Sequence, residues 1–221
     1  MSGMDWPILE GLDADERQRL LQVARRRTFA RGEVVYHRGD PADTLHLVAK
    51  GRFAVRVTTP LGDTAILSVI GPGEVFGELA LLVSDTPRSA TVAALEAAET
   101  RSLHRLDFDA LRRRDTQLER VLVDALAARV RRLSDLLVEA LYVPAEVRVL
   151  RRVHDLAGTY ARAGETTVIP LTQDELAGLA GTSRATVNRV LRDAERRGEV
   201  ELRRGRTAVL DADALGSRTK R

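Results

Sequence analysis

The sequence predicts an α+β chain in three parts: a small antiparallel β domain, one long helix, and a C-terminal domain of short helices that ends in a hairpin. Three observations predict it. Between residues 26 and 106 turn signals recur every 8 to 12 residues, the rhythm of an antiparallel sandwich or barrel. Residues 117–142 contain neither Gly nor Pro and carry apolar residues at helical spacing. From Leu171 onward two capped helices, joined by Gly181-Thr182, precede a pair of short β-type segments around Arg203-Arg204-Gly205-Arg206.

Composition agrees with a folded chain and excludes several chemistries. Of the 221 residues 44% are hydrophobic and 30% charged, which is globular composition with apolar residues enough for one or two cores. The longest apolar stretches are interrupted by charge before the roughly 18 residues that a spanning helix needs. Residues 1–13 are acidic with no apolar signal core. A soluble, non-secreted protein is expected. There is no cysteine, hence no disulfide, no thiolate nucleophile and no thiolate-held zinc or iron-sulfur cluster, and a reducing cytoplasm fits. His37, His46, His104 and His154 stand singly, so haem and metal are not expected either.

In chain order, residues 13–24 open with Asp13 and carry Glu16 three positions later, a capping box for a short helix with Leu20, Leu21 and Ala24 on one side. Segments 33–36, 44–48, 53–58 and 64–70 alternate apolar and polar residues. Between them lie Arg31-Gly32, Gly39-Asp40-Pro41, Lys50-Gly51, Leu61-Gly62-Asp63 and Gly71-Pro72-Gly73. In the long helix, Val123, Ala127, Val130, Ser134, Leu137 and Leu141 follow one another at spacings of 4, 3, 4, 3 and 4, a coiled-coil seam. Leu118, Leu122, Leu126 and Leu133 form a second stripe beside it. Two adjacent stripes need two covering surfaces, which favours a homodimer. Pro144 ends this helix, 145–156 is a further amphipathic helix, and 158–165 reads as a polar loop. The parts are therefore 1–116, 117–143 and 144–221.

The C-terminal pattern carries most of the functional information. Thr172 caps a helix over 173–180 with Glu175 completing its box, and Ser183 caps a second helix running to about Arg196. Small Ala177 lets the helices approach, Gly181 supplies a left-handed turn residue, and Val187, Val190, Leu191 and Ala194 make the buried face. This is a helix-turn-helix. The other face of its second helix shows Arg184, Ala185, Asn188, Arg189 and Arg192, with Thr186 beside them, and arginine is the side chain that reads guanine bidentately in the major groove. Segments 200–202 and 207–210 then form a hairpin whose basic tip, with Arg204 and Arg206, suits phosphate. Net charge is −1 over 1–140 and +4 over 141–221, which also points to a polyanion at the C-terminal end, although a charge run alone is equally a solvated face.

A second constellation is Phe76-Gly77-Glu78-Leu79-Ala80-Leu81 followed by Pro87-Arg88-Ser89-Ala90-Thr91. A short helix starting near Gly77 would present backbone N–H groups to an anion, Arg88 would neutralise a phosphate, and Glu78 could accept from a sugar hydroxyl. From these residues alone a buried ion pair between Glu78 and Arg88 explains the pattern as well as a sugar-phosphate site does. No metal-ligand cluster, nucleophile with a base or Walker loop supports an enzyme, such as one that processes cyclic nucleotides.

Residues 8–210 resemble the cyclic-AMP receptor protein and fumarate-nitrate regulator family of bacterial transcription factors. The most specific stretches are 76–81 with 88–91, similar to the family's phosphate-binding cassette, and 171–191, similar to its DNA-reading unit. The resemblance implies an N-terminal jelly-roll cyclic-nucleotide-binding domain, a long dimerisation helix and a winged helix. A cyclic nucleotide, cyclic AMP foremost, would shift the homodimer into a DNA-competent arrangement. It implies that Gly77, Glu78 and Leu79 hold ribose and cyclic phosphate, Arg88 and Ser89 the phosphate, and Leu133 with Ser134 the purine. Arg184, Ala185 and Arg189 would face bases, among the DNA contacts Thr172, Ser183, Thr186, Asn188, Arg204 and Arg206. Double-stranded DNA, a second copy of the chain and RNA polymerase are the partners it suggests, and a membrane is not. Two positions depart from the family pattern. Leu133 lacks the hydroxyl often found there in cyclic-AMP binders, and Ala185 stands where many relatives carry a cytosine-accepting Glu.

Overall fold

The computed structural model describes residues 6–58, 64–83, 86–113, 117–161 and 164–219, without the side chains of 117–119, 121, 122 and 125. The expected turn at Leu61-Gly62-Asp63 and the side chains of the stripe residues Leu118 and Leu122 therefore lie outside what is described. Two compact units emerge, Met1–Val57 with Ser68–Leu133, and Thr58–Leu67 with Ser134–Arg221.

The first unit begins with a 3-10 turn Pro7–Leu9 and α1, Ala14–Val23, whose Asp13–Glu16 capping box is formed in both directions. The strands that follow in the chain are β1 (Arg25–Phe29), β2 (Val34–Tyr36), β3 (Thr44–Lys50), β4 (Phe53–Thr58), β5 (Thr64–Ile70), β6 (Val75–Phe76), β7 (Thr91–Ala94) and β8 (Ala98–His104). They build two four-stranded sheets, ordered β1-β8-β3-β6 and β2-β7-β4-β5. Phe29, Val48, Phe76 and Ala98 of the first sheet share one core with Phe53, Val55, Ile70, Val92 and Ala94 of the second, so the sheets are stacked as a β roll.

Alternation along β3 sets what lies on each face. His46 and Val48 point into the roll, while Leu45 and Leu47 join Leu103 in a second core beneath Trp6, Leu9, Leu12, Leu20, Leu81 and Phe108. The Trp6 indole N–H donates to the Val48 carbonyl at 3.0 Å, pinning the N-terminal segment to the roll. Phe108 comes from α3 (Arg105–Arg112) and Leu81 from α2 (Leu79–Leu82). The helix expected to start near Gly77 is thus a single turn beginning at Leu79. Gly77 itself is left-handed at φ +82°, and no helical residue adopts that angle.

α4 runs Gln117–Tyr142 without interruption. Along its seam Val123, Val130, Leu137 and Leu141 are exposed by 59 to 66%, with Ser134 also exposed and Ala127 half-buried. Of the second stripe, Leu126 is half-buried and Leu133 exposed.

In the second unit α5 (Ala145–Tyr160) extends through residues expected to be loop. Its apolar stripe continues through Leu156, Ala157 and Tyr160, all buried, and this burial outweighs the helix-breaking tendency of Gly158. β9 (Thr167–Ile169) leads to α6 (Gln173–Ala180), α7 (Arg184–Arg196), β10 (Val200–Arg203), β11 (Arg206–Val209) and α8 (Ala212–Arg218). β9 pairs with β11, so the hairpin belongs to a three-stranded sheet, order β10-β11-β9. Arg148 donates to the carbonyls of Val143 at the end of α4 and of Ala180 and Gly181 at the end of α6, at 2.8 to 2.9 Å. One guanidinium thereby satisfies carbonyls that both helix termini leave open.

Candidate functional site

The first candidate site is a cleft in the first unit lined by Tyr36, Phe76, Gly77, Glu78, Leu79, Arg88, Ser89 and Arg129, among others. Its volume, open mouth included, is about 400 Å³. Arg88 is only 6% exposed. Its Nη1 donates to the Thr44 carbonyl at 2.8 Å and its Nη2 to Thr44 Oγ1 at 2.7 Å, and Asp43 lies 3.8 Å away. The guanidinium carbon sits 4.0 Å from the centre of the Tyr36 ring, a cation–π stack. Burial lowers the Arg88 pKa, against the opposing pull of Tyr36 and Asp43. Burial also pushes the Tyr36 phenol up to about 12, with Arg88 acting in the other direction. Arg88 Nε is buried with no hydrogen-bond partner among the described residues, a donor whose desolvation is uncompensated.

Glu78, 5% exposed, takes its charge partner from α4: Arg129 Nη1 stands 3.7 Å from its carboxylate. The buried-ion-pair reading of Glu78 with Arg88 is therefore replaced by two separate arrangements, Arg88 on Thr44 and Glu78 on Arg129. Gly77 makes the cleft: a Cβ there would lie 2.7 Å from Arg88 Nη1 and 2.8 Å from the Thr44 carbonyl. Leu79 is half-buried and Ser89 exposed. Behind the cleft His46 stacks on Phe76 at 4.8 Å and 7°, and bonds Thr100 Oγ1 at 3.1 Å. Burial, then Arg88 and Arg27, push its pKa down to about 3, so the imidazole is neutral.

Tyr36, Thr44 and Arg129 were missed by sequence reasoning. Arg129 precedes Leu133 by one helical turn, and that i,i+4 spacing was the one available signal for it. For Tyr36 and Thr44, on strands remote from the cassette, there was none. Leu133 itself is 49% exposed on α4.

The second candidate site is the α6–α7 face. Thr172 and Glu175 form a complete capping box, Gly181 is left-handed at φ +59°, and Ser183 accepts from the Thr186 N–H. Val187, Val190, Leu191 and Ala194 are buried, which turns Arg184, Ala185, Asn188, Arg189 and Arg192 to solvent. Thr172 and Ser183 are exposed and Thr186 half-buried. At the hairpin tip Arg204 and Arg206 are exposed around Gly205 (φ +69°). Such a face presents guanidinium donors at the N-terminal end of one helix beside a basic turn, the chemistry of duplex recognition. Among the described residues no group of His, Asp or Glu side chains could hold a metal ion, and no helix is long and apolar enough to cross a membrane.

Residues 26–115 match the cyclic nucleotide-binding domain family, and residues 147–218 the Crp-like helix-turn-helix domain. Together with the geometry they define a class: a transcription regulator that joins a cyclic nucleotide-binding domain to a DNA-binding helix-turn-helix. The chain is similar to the cyclic AMP receptor protein of Thermus thermophilus, 36% identical over 95% of this chain and 94% of that one. It is also similar to the CRP-like cAMP-activated global transcriptional regulator of Mycobacterium tuberculosis, 29% identical over 96% of each chain. Among solved structures, the Thermus thermophilus catabolite activator protein is 34% identical with a TM-score of 0.56, over 97% of this chain and 98% of that one. The protein belongs to the Crp/Fnr family of transcription regulators, which are not enzymes.

Proposed function

We propose that the protein is a cytoplasmic homodimeric regulator that binds cyclic AMP and then reads a palindromic operator. The observation that carries the effector is Arg88, a buried cation in a cleft, with an Nε that finds no partner among the described residues and a glycine cradle beside it. In this reading the cyclic phosphate takes donors from Arg88, which exchanges its Thr44 contacts for the anion, and from Ser89. Gly77, Glu78 and the Leu79 backbone hold the ribose, with Arg129 3.7 Å from the Glu78 carboxylate, and Leu133 and Ser134 meet the purine. The names of the Thermus and Mycobacterium relatives support cyclic AMP as the nucleotide. No acid or nucleophile is needed, because the ligand is bound and released unchanged.

The exposed seam Val123, Ala127, Val130, Ser134, Leu137 and Leu141 would be covered by the same seam of a second copy, since apolar side chains so exposed gain by burial. A twofold axis would then set two α7 helices about 34 Å apart, one helical turn of DNA. Residues 1–116 would sense, 117–143 would dimerise and 144–221 would read. Arg184, Ala185 and Arg189 face bases. Thr172, Ser183, Thr186 and Asn188 surround them, and Arg204 and Arg206 reach phosphate. RNA polymerase is the further partner of such a regulator. Titration calorimetry with cyclic AMP and cyclic GMP tests the reading. One cyclic AMP site per chain, tighter than for cyclic GMP, is expected, and no heat with either nucleotide overturns it.

A further inference from the structure

Three side chains on the proposed reading face are already engaged by neighbours within the second unit. Arg189 Nη2 donates to Glu146 Oε1 at 2.7 Å, from the first turn of α5. Arg184 Nη1 stands 3.7 Å from Asp174 Oδ2, in the first turn of α6. Asn188 Nδ2 donates to Gln173 Oε1 at 3.0 Å. The hydrogen bond from Arg189 holds the Glu146 carboxyl below its usual range. Acids in a first turn also suit the helix dipole, which accounts for Glu146 and Asp174 being there. It does not account for each being met by an arginine of a third helix.

We propose that Glu146 and Asp174 are specificity-determining residues of the DNA-reading face, acting through Arg189 and Arg184 by weakening sequence-independent binding more than operator binding. This rests on the reading above that both arginines face bases. Non-specific affinity comes from neutralising phosphates and releasing their counterions. An arginine that leaves a carboxylate for a phosphate exchanges one exposed ion pair for another. The carboxylate left behind then faces the polyanion and repels it. Guanine asks less of the acid: Arg189 meets Glu146 through Nη2 and Arg184 meets Asp174 through Nη1, so the remaining donors of each five-donor fork can take guanine with the carboxylate still in place, a contact that discriminates by roughly 5- to 150-fold. Specificity is a difference of affinities, so an acid that costs the phosphate-seeking, sequence-independent mode more than the guanine-reading one raises it.

The test uses full-length Glu146→Gln, Asp174→Asn and the double variant, with and without cyclic AMP, in fluorescence anisotropy on two duplexes. One duplex is selected from a randomised library by the wild type, and the other is its shuffled sequence. For the double variant the shuffled duplex should bind about tenfold tighter at low salt, with a log–log salt slope steeper by about one to two, and the selected duplex less than about threefold tighter. Glu146→Ala, which lacks charge and acceptor alike, should move the ratio in the same direction. Equal gains on both duplexes, or no gain on the shuffled one, overturn the proposal. Arg189→Gln separates the two ideas. If it leaves the preference for the selected duplex intact, the base-reading role of Arg189 fails. If it abolishes that preference while the acid variants change nothing, only the present inference fails.

Discussion

Replacing Arg88 by Leu tests the effector cleft most directly. The guanidinium is almost wholly buried, stacked at 4.0 Å on Tyr36, with two donors spent on Thr44 and a third, Nε, without a partner among the described residues. In the nucleotide complex it would give at least two hydrogen bonds to a charged oxygen, each contributing about 1.5 to 3 kcal/mol. Their loss amounts to roughly 3 to 6 kcal/mol, so affinity should fall by about a hundredfold to ten-thousandfold. Stability should change far less. Leu gives up the Thr44 bonds and the cation–π stack, yet it also removes the cost of burying a charge, a cost visible in the lowered Arg88 pKa. Calorimetric titration with cyclic AMP, paired with thermal melting of the same sample, reads both quantities. Arg88→Lys should lie between, since it keeps the charge but not the planar fork. A Leu variant that melts normally and binds cyclic AMP within tenfold of wild type would refute the role given to Arg88.

Acid should weaken the β roll through His46. Its folded pKa of about 3 lies below the unfolded value, so the unfolded chain takes up a proton that the folded one refuses. Stability is then intact above about pH 6.5 and falls by about 1.4 kcal/mol per unit toward pH 3. His46→Phe should flatten the denaturant-measured slope by one proton, and equal slopes would contradict this account. Val130→Asp puts a charge at the centre of the seam, where the wild-type side chain is 61% exposed, and sedimentation equilibrium should show monomers. A persisting dimer would remove α4 as the interface. Ala185→Glu adds an acceptor suited to cytosine N4, so selection from randomised operators should gain a G·C preference at one step per half-site, about 1 to 3 kcal/mol of discrimination. Identical selected sequences would mean that α7 does not enter the groove as proposed.

What the sequence determined by itself was everything whose cause is local. The capping boxes at Asp13 and Thr172, the left-handed turn at Gly181, the uninterrupted α4 and the buried stripe of α7 all depend on residues three or four positions apart, and such patterns can be counted along a chain. The stretches 76–81 and 88–91 stood out by residue type, and only their resemblance to a family cassette favoured a phosphate site over an ion pair. Tertiary structure decided the partners. Glu78 and Arg88, close in sequence, are given to Arg129 and Thr44 respectively. β9 completes a sheet with a hairpin far along the chain, α5 runs on through Gly158 because its stripe finds a core, and Arg189 of the reading face meets Glu146. These outcomes were not written in any local pattern, because a strand order such as β1-β8-β3-β6 or an ion pair between distant helices is chosen by competition among many chain-remote contacts. That competition is resolved only when burial closes the core and removes water as the alternative partner.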